Sequence, residues 1–181
     1  MPVSGGGFEQ CYNAQAAVAE GSLLVVAGDV VQAPNDKQQL EPMLAKIGAL
    51  PEELGKAETL LGDNGYFSEA NVKACEAAGI EPLLAMGRDS HHPSLSERFA
   101  AAPAAPENPT PVEAMANRLQ TPEGKALYAR RKCIPEPVFG IIKSALGFRQ
   151  FLLRGLENVR GEWSLVAMAW NVKRMFALKA A

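Results

Sequence analysis

The sequence predicts an α/β fold with a helical carboxy-terminal portion. Three observations carry that expectation. Short apolar runs bounded by turn residues alternate with amphipathic helical segments through residues 10–86. Their order is strand, helix, strand, helix, strand, which predicts that the later strands run parallel. Beyond a Pro- and Ala-rich stretch at 100–111, the apolar spacing is helical almost to the end.

The first seven residues are glycine-rich and poorly suited to open a fold. Residues 10–18 alternate loosely, and 23–27 form a short buried-strand run (Leu, Leu, Val, Val, Ala). Glu20-Gly21-Ser22 between them predicts a hairpin. Asn35 or Asp36 can cap the next helix, which places Leu40, Met43, Leu44 and Ile47 on one face and stops at Gly48. Pro42 falls in its first turn. A helical turn at 51–55 precedes a strand at 58–62 that runs into Asp63-Asn64-Gly65-Tyr66. Ser68 then caps a second helix ending at Gly79, and 80–86 is the next strand. The four prolines within 100–111 forbid regular structure and predict an extended linker. Helices are expected over about 112–132, 136–146 and 157–178, the middle one burying Val138, Ile141, Ile142, Ala145 and Leu146.

Composition fits a globular protein with a real core, at 48% apolar and 21% charged residues in 181. The longest apolar run, 163–170, is too short and too interrupted to span a membrane. No secretion signal is read at the start. Cys11, Cys75 and Cys133 are few, odd in number and widely spaced, which predicts free thiols and a cytoplasmic location over a zinc or disulfide frame. The net charge of −2 hides an asymmetry: from Lys125 onward there are eleven Lys or Arg against three acids. A basic segment of this kind fits a polyanionic partner, and equally fits pairing with the acidic remainder.

Two positions stand out chemically. Asp63 ends a buried strand, where α/β sheets gather ligands and metals, although Asp-Asn-Gly is also ordinary turn chemistry. Glu136 opens a helix and Lys143 follows seven residues later on the same face, with Gly140 and Gly147 near them. Such a face carries nothing bulky and lets a large partner approach the backbone. Seven residues is too long for the usual helical ion pair, so a carboxylate for a metal and an ammonium for a phosphate explain the spacing better. His91-His92 reads as loop, since adjacent residues point apart. Trp163 and Trp170 share one helical face and read as core.

The run Tyr12-Asn13-Ala14-Gln15-Ala16-Ala17-Val18, then Gln32-Ala33-Pro34-Asn35-Asp36, then Asp63-Asn64-Gly65-Tyr66, resembles the core of DDE-type transposases of bacterial insertion sequences. That group's carboxy-terminal signature is Tyr, Arg, Glu, Lys with six residues between the last two. Tyr128, Arg131, Glu136 and Lys143 match it. The gap from Arg131 to Glu136 is one residue longer than the signature's, and Lys132 would restore it. Phe139-Gly140, Arg154-Gly155-Leu156 and 171–175 also look like that family's tail.

The resemblance covers essentially the whole chain, 1–181, as the carboxy-terminal part of one catalytic domain. It implies a ribonuclease H-like mixed sheet with flanking helices. It also implies transposition of DNA at insertion-sequence ends by phosphodiester cleavage and strand transfer. Asp63 and Glu136 become the second and third acids of a triad holding two Mg²⁺ ions. Tyr128, Arg131, Lys143 and Arg154 become DNA contacts, with phosphate contacts giving position without sequence specificity. The family's first aspartate lies on a strand ahead of the hairpin, and nothing at 1–7 resembles that strand. The expectation is therefore a sheet without its first strand. Neither Asp29, in phase with its strand neighbours, nor Asp36, read as a helix cap, replaces the missing acid. A chain of this kind is expected to be catalytically incomplete, or else a non-catalytic remnant that binds DNA, full-length transposase or itself.

Overall fold

The computed structural model describes residues 11–87 and 107–180. The glycine-rich start, the His91-His92 segment and most of the 100–111 linker lie outside the described residues.

The expected hairpin forms. Strand β1 (Asn13–Val18) pairs antiparallel with β2 (Val25–Val31), from Asn13 opposite Val31 to Ala17 opposite Ala27, with a bulge at Ala17/Val18. The turn places Gly21 and Leu23 at positive φ, an uncommon conformation for leucine. Leu23 is held there by its N–H on the Ala19 carbonyl and by its own carbonyl on the Trp170 indole.

Helix α1 (Leu40–Gly48) buries Leu40, Met43 and Leu44, as the spacing predicts. Its cap differs from expectation. Gln39 is the N-cap and makes no side-chain cap bond, while Asp36 turns away to accept hydrogen bonds from strand β1. A 3-10 turn (Glu52–Leu54) leads to β3 (Thr59–Gly62), and a second one (Asn64–Tyr66) follows Asp63 at once. Helix α2 (Glu69–Ala77) is capped by the Ser68 hydroxyl, and β4 (Glu81–Leu84) pairs with β3 in parallel register, as expected.

The helical portion is more broken than expected. Thr110 and Glu113 form a reciprocal capping box that starts α3 (Pro111–Gln120), so the last proline of the linker is the first residue of a helix. The single helix expected over 112–132 is instead α3, then α4 (Pro122–Ala129), then a 3-10 turn (Arg130–Cys133). The break falls at Thr121-Pro122, because Pro122 has no N–H to continue a helix and Thr121 is held extended before it. Helices α5 (Pro135–Ser144) and α6 (Leu156–Lys179) complete the fold.

Two apolar clusters hold the molecule. In one, Val138 and Ile142 of α5 pack with Val25 and Val30 of β2 and with Val159, Trp163 and Trp170 of α6. The two tryptophans are therefore core, and their indole N–H groups bond the Gln15 and Leu23 carbonyls. Asn171 adds a two-way bond to the backbone of Val25. The other cluster gathers Leu40, Leu44, Val72, Cys75, Ile80, Leu84 and Met115. Cys11, Cys75 and Cys133 are all free thiols, as expected. No helix among the described residues is long and apolar enough to cross a membrane.

Among the described residues the strands do not join into one sheet but form two sheets of two strands, β1-β2 and β3-β4.

Candidate active site

A cavity of about 1250 Å³ separates the two sheets. Every residue of β1 and every residue of β3 lines it, whereas β4 contributes none and β2 only Val26. The helical portion closes one side with Arg131, Glu136, Gly140 and Lys143.

Asp63 sits at this cavity because β3 ends there. Its backbone is extended and its Oδ1 accepts the Gly65 N–H at 2.8 Å, which turns the chain into the 3-10 segment. The side chain stays exposed at the sheet edge. Gly62 just before it is tightly enclosed: a Cβ there would meet Leu84 Cδ2 at 2.6 Å.

Glu136 lies in the first turn of α5, behind Pro135, where a carboxylate is favoured by the helix dipole. Glu136, Phe139, Gly140 and Lys143 form the face toward the cavity, while Val138 and Ile142 are fully buried behind it. Gly140 has open space where a Cβ would be. Asp63 and Glu136 thus share one cavity.

Arg131 lies beside Glu136. Its Nη1 is 3.7 Å from Glu136 Oε1, its guanidinium lies 5.8 Å over the Tyr128 ring, and its buried Nε has no partner. The Tyr128 hydroxyl donates to the Gly62 carbonyl at 3.3 Å. Lys132 is exposed and does not line the cavity, so Arg131 is the base of this segment that faces it. Arg154 is not brought there either. Its Nη1 donates to the carbonyls of Phe151 and Leu153 beside it. Part of the basic half does pair with the acidic half, through Arg130 on Glu20 at 3.0 Å and Arg160 on Asp29 at 2.9 Å.

One member of the site was not recognised in the sequence. Asp36 also lines the cavity, and its Oδ1 accepts from Asn13 Nδ2 at 2.6 Å and Gln15 Nε2 at 2.8 Å. The available signal was Asn13 and Gln15 two apart, hence on one face of an otherwise apolar strand. Gln15 also accepts from the Tyr66 hydroxyl, and burial with the negative neighbours Asp36 and Asp63 holds that phenol far above its ordinary pKa.

The chain thus combines an α/β architecture with one cavity lined by an acid at a strand end and by Glu136, Arg131 and Lys143 of the helical portion. The family model described as "Transposase DDE domain" matches residues 3–172, and the chain belongs to that family. Its general activity is DNA transposition, with DNA as substrate and divalent metal as the family's usual cofactor. Neither the curated proteins nor the solved structures contain a match.

The donor chemistry suits a hard cation, since among the described residues carboxylates line the cavity and no thiol or imidazole does. The described residues do not, however, gather three or more such donors closely enough to hold a metal by themselves.

Proposed function

We propose that this chain carries the second and third acids of a magnesium-dependent transposase site, Asp63 and Glu136, in a ribonuclease H-like sheet that has room for one more strand. The observation that carries the reading is the single cavity lined by Asp63, Glu136, Arg131 and Lys143.

The missing-strand reading draws support from the same cavity. Two open strand edges, β1 and β3, border it along their whole lengths. An open edge presents unpaired backbone groups, and a strand inserted between two of them would satisfy both. Such a strand, supplied from outside the described residues, would join the two sheets and bring further side chains beside Asp63. That would also supply the donor the described residues lack.

Asp63 and Glu136 would hold the cations. Divalent ions bound by carboxylates activate a water or 3′-hydroxyl and offset phosphate charge during in-line displacement. Arg131 and Lys143 bind the DNA backbone; the orphaned Nε of Arg131 is a donor that a phosphate oxygen would satisfy. Gly140 leaves the face between Glu136 and Lys143 bare, so a phosphodiester can approach the helix. Tyr128 orients Arg131 from beneath while anchoring the strand end that carries Asp63.

Nicking of transposon-end DNA tests this. With a strand added between β1 and β3 the chain should cleave with Mg²⁺, and Asp63→Ala and Glu136→Ala should each abolish cleavage. Retained activity in those variants would overturn the assignment.

A second reading, a non-catalytic remnant that binds DNA or associates with itself or a full-length transposase, is favoured by one observation. Helix α6 exposes Leu165, Met168, Val172, Met175 and Phe176. Under that reading the chain binds DNA with affinity falling steeply as salt rises, yet cleaves none even when extended.

A further inference from the structure

The Asp63 carboxylate projects from a short exposed turn, and such a turn needs something to hold it. We infer that Gln15 and Asp36 are positioning residues for Asp63: the buried Gln15 amide, locked between the Asp36 carboxylate and the Tyr66 hydroxyl, fixes the turn that presents Asp63 to the cavity. This rests on the reading of Asp63 as a functional acid.

Gln15 is only 4% exposed, and a buried amide is costly unless satisfied. Its Nε2 donates to Asp36 Oδ1 and to Asn13 Oδ1, each at 2.8 Å, and its Oε1 accepts from the Tyr66 hydroxyl. The arrangement can be written one way only. An ionised carboxylate can only accept, so the NH₂ end of Gln15 must face Asp36. The carbonyl end is then left for Tyr66, which must donate and so must remain a neutral phenol. The raised pKa of Tyr66 agrees with that requirement.

The other half of the network holds the same turn from behind. Asn71 of α2, 5% exposed, donates to the Tyr66 carbonyl at 2.6 Å and to the Lys37 carbonyl at 2.8 Å. Lys37 directly follows Asp36, so β1, the segment before α1, the Asp63 turn and α2 are tied together through two buried side-chain amides.

Gly65 shows how closely the two acids approach. A Cβ there would lie 3.0 Å from Asp63 Oδ1 and 3.1 Å from Asp36 Oδ2. The two carboxylates bracket one glycine, with Asp36 anchored by two amides and Asp63 held by the Gly65 N–H. Moving Asp36 therefore removes one wall of the bracket. Gln15, Asp36 and Asn71 belong to neither apolar cluster, and only the Tyr66 ring packs against the second, so Gln15 and Asp36 can be altered without removing an apolar core contact.

The test is amide hydrogen exchange on the whole chain, with Mn²⁺ binding measured in parallel. Gln15→Ala and Asp36→Ala should each speed exchange at Gly65, Tyr66 and Phe67 about tenfold while leaving α6 as in the parent. Asp36→Asn should restore slow exchange, because its side-chain oxygen still accepts both amides. A role in bulk stability alone would instead alter α6 along with the turn. Should Gln15→Ala not fold, the two Asp36 variants carry the test.

Unchanged exchange in the turn of Asp36→Ala would overturn the inference. So would an Asp36→Asn protein that keeps the slow turn but binds Mn²⁺ as poorly as Asp36→Ala, since Asp36 would then be a ligand itself. A parent chain that binds no Mn²⁺ would count against Asp63 as a ligand, while the exchange result would still decide the positioning role.

Discussion

The Tyr128 hydroxyl donates to the carbonyl of Gly62, the residue immediately before Asp63, at 3.3 Å. Sixty-six residues separate the two. This bond joins the helical portion to the strand that ends in the candidate acid, and the Tyr128 ring carries Arg131 over its face.

Removing only the hydroxyl separates these roles. Tyr128→Phe should cost about 1 kcal/mol, the net worth of one hydrogen bond, and leave the ring under Arg131. Tyr128→Ala should cost a further 1–2 kcal/mol or so by removing packing and the cation–π contact. Equilibrium urea unfolding measures both. Equal losses in the two variants would mean that the ring contributes nothing.

Two glycines should respond in opposite senses. At Gly124 a Cβ would stand 1.9 Å from the Arg118 carbonyl oxygen, a backbone atom that cannot move aside. Gly124→Ala should therefore destabilise by about 2 kcal/mol or more. At Gly140, inside α5, a Cβ meets nothing, so Gly140→Ala should stabilise by about 0.5–1 kcal/mol. If that bare face receives DNA, the same Gly140→Ala protein should bind DNA less tightly. Calorimetric melting and filter binding on one preparation would show the opposed effects.

Acid should loosen the hairpin's attachment to α1 and α6 through Asp29. Burial alone would raise its pKa. The Lys46 ammonium, the Val30 N–H and the Arg160 guanidinium together outweigh it, so the folded pKa lies below 3.8. A depressed carboxylate contributes stability above its unfolded pKa and loses it as pH falls through the folded value. Melting temperature should thus drop between about pH 5 and pH 3, and drop less in Asp29→Asn. An identical pH profile in the two proteins would remove Asp29 from the explanation.

Much of this was readable in the sequence where the cause is local. The hairpin, the Ser68 cap and the α5 face rest on turn, cap and period signals within a few residues of each other, and the parallel pair follows from the order strand, helix, strand. Asp63 and Glu136 were visible for the same reason, one at a strand end and one at a helix start. The helix expected over 112–132 ignored its own local signal, the Thr121-Pro122 pair. Asp36 failed differently: an aspartate before a helix looks like a cap, and its actual partners lie 21 and 23 residues upstream on β1. The separation of the two sheets was also beyond local pattern, since which strand pairs lie side by side is set by contacts far apart in the chain. The charge asymmetry pointed toward DNA, yet Arg130 and Arg160 turn out to serve the acidic half.

Mn²⁺ affinity in a double-mutant cycle of Asp63→Asn and Glu136→Gln tests the shared site most directly, using the chain with the added strand if the parent binds too weakly. If both acids hold the same ion, each single change should weaken binding at least about tenfold, and the double variant should be scarcely worse than either. Strictly additive losses, or full affinity in either single variant, would show that Asp63 and Glu136 face one cavity without acting together.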